Sequence, residues 1–322
     1  MENSAQKRMF YSSKDGYVLG LVGILTPVLM ALIIAILMVF IAKGAGEGYE
    51  ELFNSPAFTY ITQTLCELAF VFAVIIYNKK AKVEFKSASY MTTKPKYLNI
   101  AIALIVGVAL PIFFNPIISM WEVLLKNIGV KVLDIGIPLD TTLDLVLGIV
   151  ILGLVPAFCE ELFFRGAVLN SFREKGFWFA VLYSAMCFSL MHGGLQQLPY
   201  TFILGFVIGT IVFETKSIWL GILVHACNNI TVLVAGFLTK DVVPPESFSA
   251  ADIIYAVLML LVGIMLIVGT VIFCKKYNKP KTITLENPMK AEQKEKKMDV
   301  FAISMFVLTL ICAVTITIIR GI

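Results

Sequence analysis

Only two histidines occur in the 322 residues, His192 and His225, and both fall inside apolar runs. Ionisable groups in a bilayer are costly and usually mark a functional site or pathway. A third apolar run carries Glu160-Glu161-Leu162-Phe163-Phe164-Arg165. On a helix, residues i and i+4 are neighbours, so Glu161 and Arg165 form a pair with the glutamate in the favoured N-terminal position. Such a pair neutralises two charges that lipid would penalise. Adjacent helical residues point roughly 100° apart, so Glu160 faces elsewhere without an in-helix cation. That carboxylate is therefore assigned the chemistry, as a general base, and Glu161 and Arg165 a structural role; one structural charge cluster of all three is the other reading of this motif. His225 and Asn229 are also four apart, and two stacked hydrogen-bonding side chains can donate to a developing oxyanion. Bonding between helices is the other use for Asn229. Asn228 is rotated off that face and is assigned to packing or a backbone contact. Phe188 lies one turn before His192 and is placed to hold its imidazole, and Gly193-Gly194 ends or bends that helix.

The elements that position these groups must be membrane helices. Apolar residues make up 59% of the chain and charged residues only 15%, against roughly 25% charged in ordinary soluble domains; mean hydropathy is +0.88. Lipid offers the backbone no hydrogen-bond partner, which restricts spans to helices or a closed barrel. Long continuous apolar runs select helices over alternating barrel strands. The expected fold is thus all-α, a polytopic transmembrane helical bundle. About nine spans are expected, with eight as the other count: 17–43, 57–77, 98–120, 144–172, 177–194, 198–214, 217–238, 252–274 and 299–319. Pro156 kinks the fourth or starts a fresh helix there. The first run is too long for the 7–15-residue core of a secretory signal and is read as a retained span. The six cysteines all lie in apolar segments and are read as small buried hydrophobes.

The loops sort by charge. Lysines 79, 80, 82, 86, 94 and 96, Arg173 with Lys175, Lys216, and eight lysines from 275 to 297 occupy every second connection. The alternate loops are poor in Lys and Arg, which places the N-terminus in the cytoplasm. The net charge of +4 calls for no nucleic-acid partner. At ~1.5 Å per residue, His225 lies roughly 12 Å, Glu160 roughly 18 Å and His192 roughly 22 Å from the basic ends of their spans. All three fit within a ~30 Å apolar core, where helix tilt and breaks permit a shared level. Gly205 and Gly209 form a small-xxx-small packing face. Glu122 is assigned to the interface. Glu67 is read either as structural or as lining a cavity.

Taken in order, Glu160-Glu161-x-x-x-Arg165, Phe188-x-x-x-His192 and His225-x-x-x-Asn229 resemble the signature of the CAAX-protease and bacteriocin-processing (CPBP, Abi) family, which includes the type II CAAX prenyl endopeptidases. The likeness covers roughly residues 144–239, a catalytic core of spans four to seven. Residues 1–143 form an N-terminal membrane region, and 240–322 hold the last two spans with a basic loop. The resemblance implies an intramembrane endopeptidase of the cell membrane, acting on a peptide or lipidated protein at the bilayer. Glu160 would activate water, His192 would help hold it, and His225 with Asn229 would stabilise the oxyanion. It favours no cofactor. Zinc on Glu160, His192 and His225 is the alternative, in which Glu160 becomes a ligand. Two other functional classes are a non-catalytic immunity or scaffold protein that keeps the fold, and a proton-coupled transporter. The transporter predicts an inverted repeat, and no second copy of either motif occurs.

Overall fold

A computed structural model of the chain describes residues 8–45, 49–53, 55–130, 139–242, 245 and 247–278. These residues build a helical bundle: α1 (Ser13–Ala45), α2 (Tyr49–Phe53), α3 (Pro56–Ala81), α4 (Phe85–Ala88), α5 (Tyr97–Asn127), α6 (Thr142–Leu169), α7 (Phe177–Met191), α8 (Leu198–Thr215), α9 (Ile218–Leu238) and α10 (Ala250–Tyr277). Seven of them are long and apolar enough to cross a bilayer, and α7 is a shorter apolar helix. These eight follow the first eight expected spans. The ninth, 299–319, lies outside the described residues, as does most of the basic 275–298 loop. The protein is an all-α, multi-pass membrane protein, and large apolar side chains such as Leu32, Phe40, Phe72, Ile105 and Met265 face outward, where lipid would meet them.

Local sequence explains the ends. Ser55 caps α3 by accepting from the Phe58 N–H, with Pro56 at the first turn. Thr141 with Asp144, and Ser249 with Asp252, form reciprocal capping boxes at α6 and α10. The lysines at 82 and 216 close α3 and α8 in the left-handed region.

The helices run back and forth, so the basic connections collect at one end. There Arg8 bonds the Lys82 carbonyl strand-fashion, Ser217 donates to Thr93 O and Lys175 Nζ to Tyr17 Oη. Gly205 and Gly209 bring α8 onto α7. A Cβ on Gly205 would stand 3.1 Å from the Ala185 Cα, and one on Gly209 3.2 Å from Val181. Gly107 brings α5 equally close to α9, where a Cβ would stand 2.8 Å from the Val224 carbonyl oxygen.

α6 is not a uniform helix. It widens into π turns at Ile149–Leu154 and Phe164–Leu169, on either side of the Glu160 segment. Pro156 stands in the first turn of the α-helical segment Val155–Phe163 that follows the first π turn, within one continuous helical run. Such widened turns release backbone groups for partners outside the helix.

Cys159, Cys187, Cys227 and Cys274 are free thiols, and Cys312 lies outside the described residues.

Candidate active site

α6, α7 and α9 carry the motif residues, and α3 closes the other side. Glu161 and Arg165 are both fully buried and pair at 2.6 Å through Oε1 and Nη1. Arg165 Nη2 also donates to the Gly205 carbonyl at 3.1 Å. Its guanidinium lies 4.4 Å from the centre of the Phe188 ring. A buried charge needs pairing and hydrogen bonds to be tolerable, and Arg165 obtains both from two helices and a ring face.

The pair also orients a histidine. Glu161 Oε1, the atom that takes Arg165, lies 3.0 Å from His225 Nδ1. A carboxylate there fixes Nδ1 as the protonated nitrogen and aims Nε2 away from it. His225 Nε2 then stands 4.0 Å from Glu160 Oε2. Glu160 and His225 are 4% and 3% exposed, so this meeting takes place inside the bundle.

Phe188 joins the second histidine to the first. Its ring contacts His192 edge-on at 5.0 Å and His225 at 5.5 Å between centroids. His192 follows the last residue of α7, and its Nδ1 is 2.8 Å from the Phe188 carbonyl oxygen. Gly193 (φ 64°) then turns the chain. Trp121 Nε1 ties the following loop down by donating to Leu195 O, and Ser189 Oγ does so by donating to Leu198 O. Side chains on a helix lean toward its N-terminus. Because α6 and α7 are antiparallel, the lean carries Glu160 and His192 toward each other, which offsets their difference in depth.

Asn229 lies one turn beyond His225 on the same face of α9. Pro156 has no N–H to offer the carbonyl of Leu152, four residues back. Asn229 Nδ2 donates to that carbonyl at 3.2 Å. Its Oδ1 accepts from Asn228 Nδ2 at 3.1 Å, and Asn228 Oδ1 accepts from the Tyr200 hydroxyl. Asn228 is therefore more than a packing residue: it links Asn229 to α8.

Of the residues singled out in the sequence, Glu160, Glu161, Arg165, Phe188, His192 and His225 form one connected cluster, and Asn229 is anchored beside it. The undecided Glu67 also belongs here. It is 4% exposed on α3, takes a 2.8 Å bond from Gln63, and its carboxyl is in hydrogen-bonding contact with that of Glu160. Tyr200 and Leu152 carry no motif and were not anticipated. Leu152 was nonetheless within reach of sequence, since any helical proline orphans the carbonyl four residues earlier. Among the described residues, no group of three or more His, Cys, Asp or Glu side chains is arranged to hold a metal.

Fold and site together define a class: a multi-pass helical membrane protein with a buried polar cluster built from carboxylates and imidazoles. Residues 142–231 match the family model described as type II CAAX prenyl endopeptidase Rce1-like. That segment begins at the first residue of α6 and contains every motif position from Glu160 to Asn229. A curated relative, "Putative membrane peptidase YdiL" of Bacillus subtilis (strain 168), is 28% identical over 131 residues. The alignment covers 40% of this chain and 54% of that protein, so the chain spans about half the length of the relative. No solved structure gives a match. These findings support the CAAX-protease family and, at the general level, a membrane peptidase.

Proposed function

We propose that the chain is an intramembrane endopeptidase that hydrolyses a peptide bond of a membrane-associated protein or peptide, with water activated by Glu160. One observation carries this reading: His225 Nε2 stands 4.0 Å from Glu160 Oε2 while Glu161 holds the opposite ring nitrogen. Glu160 takes a proton from water as the water oxygen adds to the scissile carbonyl. His192 donates from Nδ1 to the Phe188 carbonyl, which makes Nε2 the accepting nitrogen that holds the water. The developing oxyanion needs donors. With Nδ1–H already given to Glu161, a donation from His225 Nε2 requires the doubly protonated ring. Asn229 has a second amide hydrogen beyond the one bound to Leu152. Collapse of the tetrahedral intermediate returns the proton from Glu160 to the leaving nitrogen.

The basic end of the bundle faces the cytoplasm in this reading. The substrate is a prenylated C-terminus where the cell makes one, and otherwise a peptide precursor or membrane-anchored protein. No metal is assigned a step.

Purified protein in detergent, incubated with prenylated and unprenylated peptides and analysed by mass spectrometry, tests the proposal. A single internal cleavage that is lost in Glu160→Ala is the expected outcome. A phenotype in cells that survives Glu160→Ala, without cleavage of any peptide, assigns the chain to the non-catalytic class instead.

A further inference from the structure

Glu67 reaches the motif cluster from α3, outside the segment that carries the family likeness. Its carboxyl meets that of Glu160 in hydrogen-bonding contact. Both residues are 4% exposed. One oxygen of each, Oε2, is buried without a hydrogen-bond donor from the protein. The neighbours do not supply the missing charge. On α6, Arg165 gives Nη1 to Glu161 and Nη2 to Gly205, and Glu161 is a further negative group. Cys159, also on α6, lies near both carboxyls. On α9, His225 gives Nδ1 to Glu161 and faces Glu160 only at 4.0 Å. On α3 itself, Gln63 is neutral and donates once, to Glu67 Oε1.

Two carboxyls in contact need a hydrogen between them, because neither oxygen can donate when both are ionised. Two like charges at that range in a low-dielectric interior also cannot both persist. We propose that Glu67 is a positioning residue for Glu160: the two carboxyls hold one proton between them, and this keeps Glu160 oriented to accept a second. The inference rests on the peptidase reading above. In that cycle the resting pair carries one proton and one negative charge. Water gives its proton to Glu160 as the C–O bond forms, which leaves both carboxyls neutral. The proton then passes to the departing nitrogen as the C–N bond breaks, and the pair returns to one shared proton. Atoms and charge balance without any other reactant.

The test is infrared difference spectroscopy of the purified full-length chain at neutral pH, alongside cleavage kinetics. The C=O stretch of a protonated carboxyl should be present in wild type and missing in Glu67→Gln, whose amide can hydrogen-bond but cannot hold the proton. Kinetics of Glu67→Gln should show kcat down at least about tenfold with KM nearly unchanged, the signature of an interaction made during the chemical step. In Glu67→Asp the acid band should persist at a shifted frequency, and part of kcat should return. This second variant also decides the matter if the glutamine protein fails to accumulate. An acid band identical in wild type and both variants, or an unaltered kcat in Glu67→Gln, overturns the proposal. The spectroscopy needs no turnover. Absence of cleavage by wild type with the band intact would therefore count against the peptidase reading and not against the shared proton.

Discussion

His225 Nδ1 and Arg165 Nη1 share one atom, Glu161 Oε1, at 3.0 and 2.6 Å. The glutamate that sequence pattern assigns to charge neutralisation thus also sets the orientation of an imidazole on another helix. Breaking a buried ion pair by removing one partner costs about 3–5 kcal/mol, whereas replacing both partners with apolar residues is often neutral. Glu161→Gln should therefore destabilise the protein strongly, and Glu161→Leu with Arg165→Met together should recover most of the thermal stability. Neither protein should recover activity, because His225 has lost its carboxylate. Thermal unfolding in detergent and cleavage rate, measured on the same preparations, separate the two roles.

Pro156 offers a different test. Its missing N–H leaves the Leu152 carbonyl to Asn229. Pro156→Ala restores a backbone donor at that point, so the helix should hold or gain stability. Asn229 would then face competition for its anchor, and kcat should fall several-fold. A proline acting only as a kink predicts a change in stability without this kinetic effect.

Much of the site was legible in the sequence because helical spacing is reliable where helices are long. The i,i+4 rule pairs Glu161 with Arg165 and puts Asn229 on the face of His225, and both relationships hold in the structure. Span limits followed from apolar length, since lipid tolerates few other backbone solutions. What spacing does not carry is which helix lies against which. Nothing in residues 57–77 says that Glu67 meets Glu160, because that contact is set by the packing of α3 on α6. The Tyr200–Asn228 bond likewise depends on the approach of α8 to α9. The π turns at 149–154 and 164–169 have no dependable sequence signal.

Packing around Phe188 should be unforgiving. The ring is buried against Phe164, Arg165 and both imidazoles. Phe188→Ala leaves a cavity costing about 3–5 kcal/mol and frees both histidines. Phe188→Leu, which keeps more of the volume, should retain the fold with a lower kcat. Gly107→Ala makes the corresponding point between helices. Its methyl would press on the Val224 carbonyl, one residue before His225. Overpacking of this kind typically costs about 1–3 kcal/mol, and the displaced α9 should lower activity by more than the loss of folded protein accounts for.

Glutamate-activated water predicts that cleavage survives exhaustive treatment with a chelator. Loss of activity on chelation, restored by zinc, would reassign Glu160, His192 and His225 as ligands.

The central claim is that Glu160 and His225 act on one reacting centre, and single-turnover cleavage by four proteins tests it most directly: wild type, Glu160→Gln, His225→Ala and the double variant. Groups that work as a unit are strongly non-additive. Each single substitution should slow cleavage by at least about a hundredfold, and the double variant should be no slower than the worse single one. Cleavage at the wild-type rate in Glu160→Gln, or losses that simply multiply in the double variant, would contradict the account.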